Sequence, residues 1–476
     1  MYSVKKSVFL FCLILLGNHF LANAKIVLPG FFNDHMVLQQ QSQPAIWGWA
    51  RPNQKIIVQP SWTSKKFQTK SDATGKWRLT IETIAAGGPY EMRISDGEQM
   101  VLTDLYLGEV WLCSGQSNME MPMKGFKDQA LLHSNDAIFH SKNPLIRFYT
   151  VPRATKALPQ DSSKSANWKI AEAASVADFS ATAYYFGKHL FEQLQIPIGL
   201  INISYSGTPI EAFMSPESLK AFPEIPTTPT TEPKPSNKMA STVYHGMLQP
   251  FWGFEIKGMI WYQGETNYDR PGQYEHLFTA FIKEARASSH QAELPFYFAQ
   301  IAPFDYGVYA TGGAPVINSA FLREAQSKVA ASVENTGMAV LMDIGEEKSI
   351  HPMDKETGGK RLAYWALTKT YGMKGFAFQS PSYDSVQIKD NQLTLFFKNA
   401  PNGFTGYGKP LNGFEMAGVD KVFYAAEAKI VQGKIVLTAK EVTKPIAARY
   451  AFKNFIAASV FSTEGFPLSS FRTDQW

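Results

Sequence analysis

The sequence predicts an α/β fold, a doubly wound parallel sheet flanked by β-sandwich-like domains, and three observations carry that prediction. Between about 106 and 375, short apolar runs alternate with helical segments, the pattern of a buried parallel sheet. On either side, at 25–105 and 376–476, strand-like runs follow one another without helices. The 476 residues exceed what one compact core accommodates.

Composition agrees. Apolar content of 45% and charged content of 18% supply a sizeable core and exclude a disordered chain. The net charge of +5 is mild and includes no Lys/Arg run of five. The sequence therefore offers no electrostatic footprint for nucleic acid or an anionic membrane surface. Aromatic content of 13% suits β-structure and sugar-stacking surfaces alike.

Residues 1–24 read as a signal peptide. Lys5 and Lys6 precede an apolar run at 8–16, and Ala22-Asn23-Ala24 is a small-x-small cleavage site. The expected protein is exported, to the periplasm or as a secreted product. Cleavage after Ala24 removes Cys12 and leaves Cys113 without a disulfide partner. No later segment is apolar and long enough to span a bilayer, so no stable membrane insertion is expected after cleavage.

The N-terminal β domain (25–105) shows runs at 26–28, 36–38, 45–49, 55–58 and 76–79, punctuated by Pro29-Gly30, Pro52-Asn53 and Asp72-Ala73-Thr74-Gly75. The catalytic α/β domain (106–375) offers strands at 109–113, 198–203, 258–262, 296–301 and 339–342. Its helices fall at 180–193, with Ser180 as N-cap, and at 274–286, 320–333 and 355–371. Residues 223–238 form a Pro/Thr-rich insertion. The C-terminal β region (376–476) has runs at 393–397, 421–424, 434–437 and 448–451.

Four segments follow predicted strands of the middle domain, where an open α/β sheet places its ligand crevice. In 108–123, Gly115 frees the backbone for a sharp turn, and Ser117 follows it. Such a serine exposes its hydroxyl, although a Gly-x-Ser read alone is better explained as a helix N-cap. In 204–215, Gly207 lets a bare N–H approach a ligand. In 261–267, an amide of Gln263 or Asn267 can donate to an oxyanion. Glu265 there either orients Gln263, binds substrate hydroxyls or bonds nearby backbone. In 343–355, His351 stands in a loop stiffened by Pro352. No His-x-x-x-His and no Cys cluster occurs, so neither a metal nor another cofactor is expected.

Order and spacing of GEVWLCSGQSNMEMPM, GTPIEAFMS, KGMIWYQGETN and IHPMDKETGGKRLA resemble the sialate O-acetylesterase family, within the SGNH-type hydrolases. The flanking strings MVLQQQSQPAIWGWA, AARYAFKN and GFPLSSFRTDQW extend the resemblance over nearly the whole chain after residue 24. It implies an SGNH-hydrolase-like fold and deacetylation of an acetylated sugar or glycan. Ser117 falls on the nucleophile and His351 on its base. The backbone N–H groups of Ser117 and Gly207 fall on the oxyanion hole, with an amide from Gln263 or Asn267. Asn118 and Glu265 are candidates for substrate binding. Two positions depart from the family. Ser349 stands where many relatives carry an acid, leaving Asp343, Glu346 or Glu347 to orient His351, or a Ser–His dyad. His245 stands where relatives commonly have Asn, either lining the site or as a satisfied surface or core histidine. Two alternatives stay open: an esterase of plant glycans such as xylan, mannan or pectin, and a decayed carbohydrate-binding protein.

Overall fold

The computed structural model describes residues 25–226, 234–310 and 316–476. The expected signal peptide lies outside them, as do residues 227–233 of the Pro/Thr-rich insertion.

The middle of the chain builds one sheet from β1 (Gln99–Gly115), β2 (Asn143–Thr150), β3 (Lys169–Ala171), β4 (Ile198–Ser204), β5 (Gly258–Tyr262), β6 (Phe296–Ala299) and β7 (Thr336–Ala339). Their order is β7-β6-β5-β1-β4-β2-β3. Every neighbouring pair is parallel except β2 and β3. The strands read as continuous apolar runs because both faces are covered. Val110, Leu112, Ile201, Ile203, Met259 and Trp261 join one core with α3 (Pro271–Ser288) and α4 (Ala320–Ser332). The alternate residues Trp111, Cys113, Leu200, Ile260 and Tyr262 join a second core with α2 (Ala181–Leu194) and α5 (Lys355–Trp365). Ser180 caps α2 as expected, accepting from the Ala183 N–H. Cys113 is free and buried, and burial pushes its thiol well above the ordinary range.

β1 is longer than the sequence suggested. It begins in the N-terminal region, antiparallel to Gly87–Ser95 and parallel to Val37–Gln39, and continues through 105/106 into the middle of the parallel sheet. Its burial changes along the way. Exposed and buried residues mix up to Tyr106, and everything from Leu107 to Gly115 is buried. That is the signature of a strand passing from a sheet wetted on one face to one covered on both. Arg147 of β2 ties the two regions. Its guanidinium donates to the carbonyls of His35 and Asp104, pairs with the Asp104 carboxylate at 2.9 Å and lies over the Tyr106 ring.

Two other N-terminal strands, Ala45–Trp49 and Lys76–Thr80, form a separate antiparallel pair. The C-terminal region builds two four-stranded antiparallel sheets that share one core, Leu393, Leu395, Ile435 and Leu437 facing Phe414, Met416 and Tyr450. Buried Arg323 of α4 reaches into this region, donating to the carbonyls of Ala451 and Lys453 and to the Ser470 hydroxyl.

Several elements differ from expectation. Strand β2 escaped the sequence reading because Arg147 interrupts its apolar run. The run 339–342 lies mostly beyond its strand, since Val340 and Met342 are buried by the C-terminal region rather than by the sheet. The helix expected at 355–371 is α-helical only to Trp365 and loosens into a π-turn over Ala366–Thr370.

Candidate active site

The crevice lies where β1 ends between β4 and β5, the point at which strand order reverses. Gly115 terminates β1 with a φ of +146°, and a Cβ there would stand 2.1 Å from the Tyr262 carbonyl oxygen. Only glycine fits. The chain then turns into α1 (Ser117–Glu120), with Ser117 as its first residue. Neither its N–H, which has no intrahelical acceptor at that position, nor its hydroxyl meets a hydrogen-bond partner among the described residues.

Gly207 follows β4 in a turn with φ of +66°. Its N–H meets no acceptor among the described residues, so it is available to a ligand. The turn is held from two sides. Glu120 of α1 accepts from the backbone N–H of Ser206 at 2.7 Å and from its hydroxyl, while its other oxygen takes Arg153. From the far end of the Pro/Thr-rich insertion, Asn237 donates to the Ser206 carbonyl at 2.8 Å and to the Thr208 hydroxyl at 2.9 Å, and Lys238 donates to the Gly207 carbonyl. Glu120 lies in the string 108–123, whereas Asn237 and Lys238 carry no motif visible in sequence.

The third segment acts as a brace. Gln263 is fully buried, and both donor hydrogens of its amide are spent, on the Thr208 carbonyl and on Asn267 Oδ1 at 2.7 Å. Asn267, also fully buried, donates to Glu211 and accepts from the Ile210 N–H. The amide donor to the oxyanion hole expected from Gln263 or Asn267 is therefore engaged inside the protein. What this pair positions is the loop carrying Gly207.

Asn118 and Glu265 likewise face inward. Asn118 is 1% and Glu265 4% exposed. The Asn118 amide donates to Glu265 Oε1 and to the Ile350 carbonyl at 3.0 Å, and its oxygen accepts from Lys355 at the start of α5. Burial raises the Glu265 carboxyl above the usual carboxylate range and lowers the Lys355 amine to about 7. The Asn118–Ile350 bond joins the neighbours of Ser117 and His351, which brings the turn of Ser117 and the loop of His351 together.

His351 is half-buried in that loop. Its Nδ1–H donates to Gln129 Oε1 at 2.6 Å, and its ring meets Phe126 edge-on. Burial, and secondarily the positive charge of Lys355, lower the imidazole to about 4. Two of the candidate acids are occupied elsewhere. Asp343 gives both oxygens to Arg361, each at 2.7 Å, and Glu346 accepts from the Met353 N–H at 2.7 Å. Glu347 is exposed and Ser349 donates to the His351 carbonyl. None of Asp343, Glu346 or Glu347 touches the imidazole. The nitrogen a triad acid would hold carries an amide partner.

His245 is buried in the π-turn Tyr244–Leu248 against the Lys156 carbonyl. It lines an apolar cavity of about 400 Å³ with Leu158, Phe222 and Ile225. Among the described residues no group of three His, Cys, Asp or Glu is arranged to hold a metal.

Comparison with known proteins identifies the family. Residues 107–364 match the family described as carbohydrate esterase, sialic acid-specific acetylesterase. Human sialate O-acetylesterase is 30% identical over 392 residues, covering 75% of this chain and 73% of the human protein. The rat enzyme is 29% identical over 416 residues, covering 75% and 76%. A crystal structure of a carbohydrate acetylesterase from Xanthomonas citri superposes with a TM-score of 0.86 at 33% identity, covering 95% of this chain and all of that one. The chain thus belongs to the sialate O-acetylesterase family of carbohydrate esterases and is a carbohydrate O-acetylesterase.

Proposed function

We propose that this chain hydrolyses O-acetyl esters of sialic acid with Ser117 as nucleophile and His351 as general base, on an SGNH-type fold. Ser117 Oγ attacks the acetyl carbonyl while His351 Nε2, the nitrogen left basic by the Nδ1–H bond, takes its proton. The oxyanion is met by the N–H groups of Ser117 and Gly207. Collapse expels the sugar oxygen, which receives the proton from His351 and leaves acetyl-Ser117. Water, deprotonated by His351, then attacks the acetyl group. Acetate departs and Ser117 regains its proton.

The observation that supports this reading best is the pair of N–H groups without an acceptor among the described residues, Ser117 and Gly207, at the ends of adjoining strands. Export is part of the proposal and rests on the 1–24 pattern. No helix among the described residues is long and apolar enough to cross a membrane.

The test is acetate release from O-acetylated sialic acid, with acetylated xylan, mannan and pectin in parallel. Ser117→Ala should fold normally and lose about 10³-fold or more in turnover. A loss under about tenfold removes Ser117 as nucleophile. Release from the plant glycans alone moves the substrate and leaves the mechanism. No release from any substrate turns the reading toward a binding protein.

A further inference from the structure

We propose that Gln129 is the positioning residue of this esterase, standing where a triad acid would be, so that the working constellation is Ser117–His351–Gln129. The inference rests on the assignment of Ser117 and His351 above. Its ground is the 2.6 Å bond from His351 Nδ1–H to Gln129 Oε1, together with the commitment of Asp343 to Arg361 and of Glu346 to the Met353 N–H.

The loop carrying Gln129 is built to hold the ring. Gly125, with a φ of +82°, turns the chain so tightly that a Cβ would meet the Gln129 carbonyl oxygen at 2.3 Å. The Gln129 N–H closes the turn onto the Phe126 carbonyl. Phe126 then packs its ring against the imidazole, and the Leu132 N–H bonds the Met353 carbonyl, fastening this loop to the one that carries His351. Gln129 and Phe126 thus approach the histidine from one short segment, more than 200 residues away in sequence.

Chemically, a triad partner does two things. It fixes the tautomer with hydrogen on Nδ1, leaving Nε2 to accept the serine proton, and it stabilises the imidazolium that forms. An amide oxygen does the first as well as a carboxylate does. It does the second only as a dipole. Such an enzyme should depend on Gln129 for turnover more than for affinity. A carboxylate placed at 129 should raise the basicity of His351, because it favours the imidazolium. The other charges around the ring are Lys355 on α5, Glu346 and Asp354 on the histidine's own loop, and the exposed Lys127 and Asp128 beside Gln129. All are unchanged in the variants.

The experiment measures kcat, KM and the pH profile with p-nitrophenyl acetate for the parent, Gln129→Ala, Gln129→Glu and His351→Ala, each checked by thermal melting. Gln129→Ala should lose at least about tenfold in kcat with KM within about twofold. Gln129→Glu should keep the fold, since the side chain is isosteric and at the surface. Its acidic limb should move to higher pH by at least about one unit. An acidic limb in Gln129→Glu that coincides with the parent's overturns the inference, as does kcat in Gln129→Ala within twofold of the parent. With His351→Ala inactive, either result leaves the Ser117–His351 reading intact. Full activity in His351→Ala overturns that reading, and this inference with it.

Discussion

At the scale of single residues the site is governed by what each polar group has left to give. Gln263, Asn267 and Asn118 carry attractive amides, and burial has committed all three internally. Ser117 and Gly207 carry plain backbone N–H groups that have no acceptor among the described residues. A testable consequence concerns His351. The proposed mechanism needs the neutral imidazole, and a histidine in water loses that form below about pH 6.5. Here burial, with Lys355 as the facing cation, lowers the ring to about 4, so the base persists into acid. kcat/KM should stay level from pH 7 to 5 and fall through about pH 4. Rate measurements after brief acid exposure, with return to pH 7 to show reversibility, check this. An acidic limb at pH 6 to 7 would show that the ring has water or a carboxylate beside it.

At the scale of elements, the turn after β4 is held by parts far apart in sequence, α1 through Glu120 and the end of the insertion through Asn237 and Lys238. Asn237→Ala removes two hydrogen bonds, each contributing about 1 kcal/mol. The loop should fold but wander, with kcat down about tenfold and the melting temperature lower by only a few degrees. A fall in melting temperature with kcat unchanged would make the clamp structural only. The same distances explain what sequence could and could not disclose. Ile198–Ser204 and Gly258–Tyr262 were legible because two buried faces demand unbroken apolar runs. Ser117 and Gly207 were legible because each follows such a run, Ser117 after Glu109–Cys113 and Gly207 after Ile198–Ser204, and sits in a recognisable string. Gln129 and Asn237 were not: each is an ordinary polar residue in a loop, given meaning only by a partner brought to it in space. Asp343 looked available because nothing local announces that Arg361, one face of a later helix, will take both its oxygens.

At the scale of the whole molecule, two buried arginines bind the outer regions to the middle. Arg323 reaches the C-terminal sheets, and Arg147, 1% exposed, spans β2 and the start of β1. Arg147→Met should uncouple the N-terminal side, since removing one member of a buried ion pair costs about 3–5 kcal/mol. Asp104 is partly exposed, which favours the lower figure. Calorimetry should show the melting temperature lower by at least about 5 °C. Turnover at low temperature should be nearly unchanged, because the crevice lies at the opposite end of the strand. If the parent already melts in two well-separated transitions, the coupling is weaker than this geometry requires.

The unbroken run of Gln99–Gly115 also constrains how such proteins can be recombined. Composition invites a crossover near 105, between what look like separable modules. A cut there would join half a strand from one parent to half from another, in register with neighbours from both. Hybrids of this chain and a relative crossed at 105 should be mostly insoluble. Those crossed in the turn at 96–98, just ahead of the strand, should keep the turn of Ser117 on its inherited backbone and retain activity more often. Equal recovery from both crossovers in a screened library would show that the strand tolerates a seam.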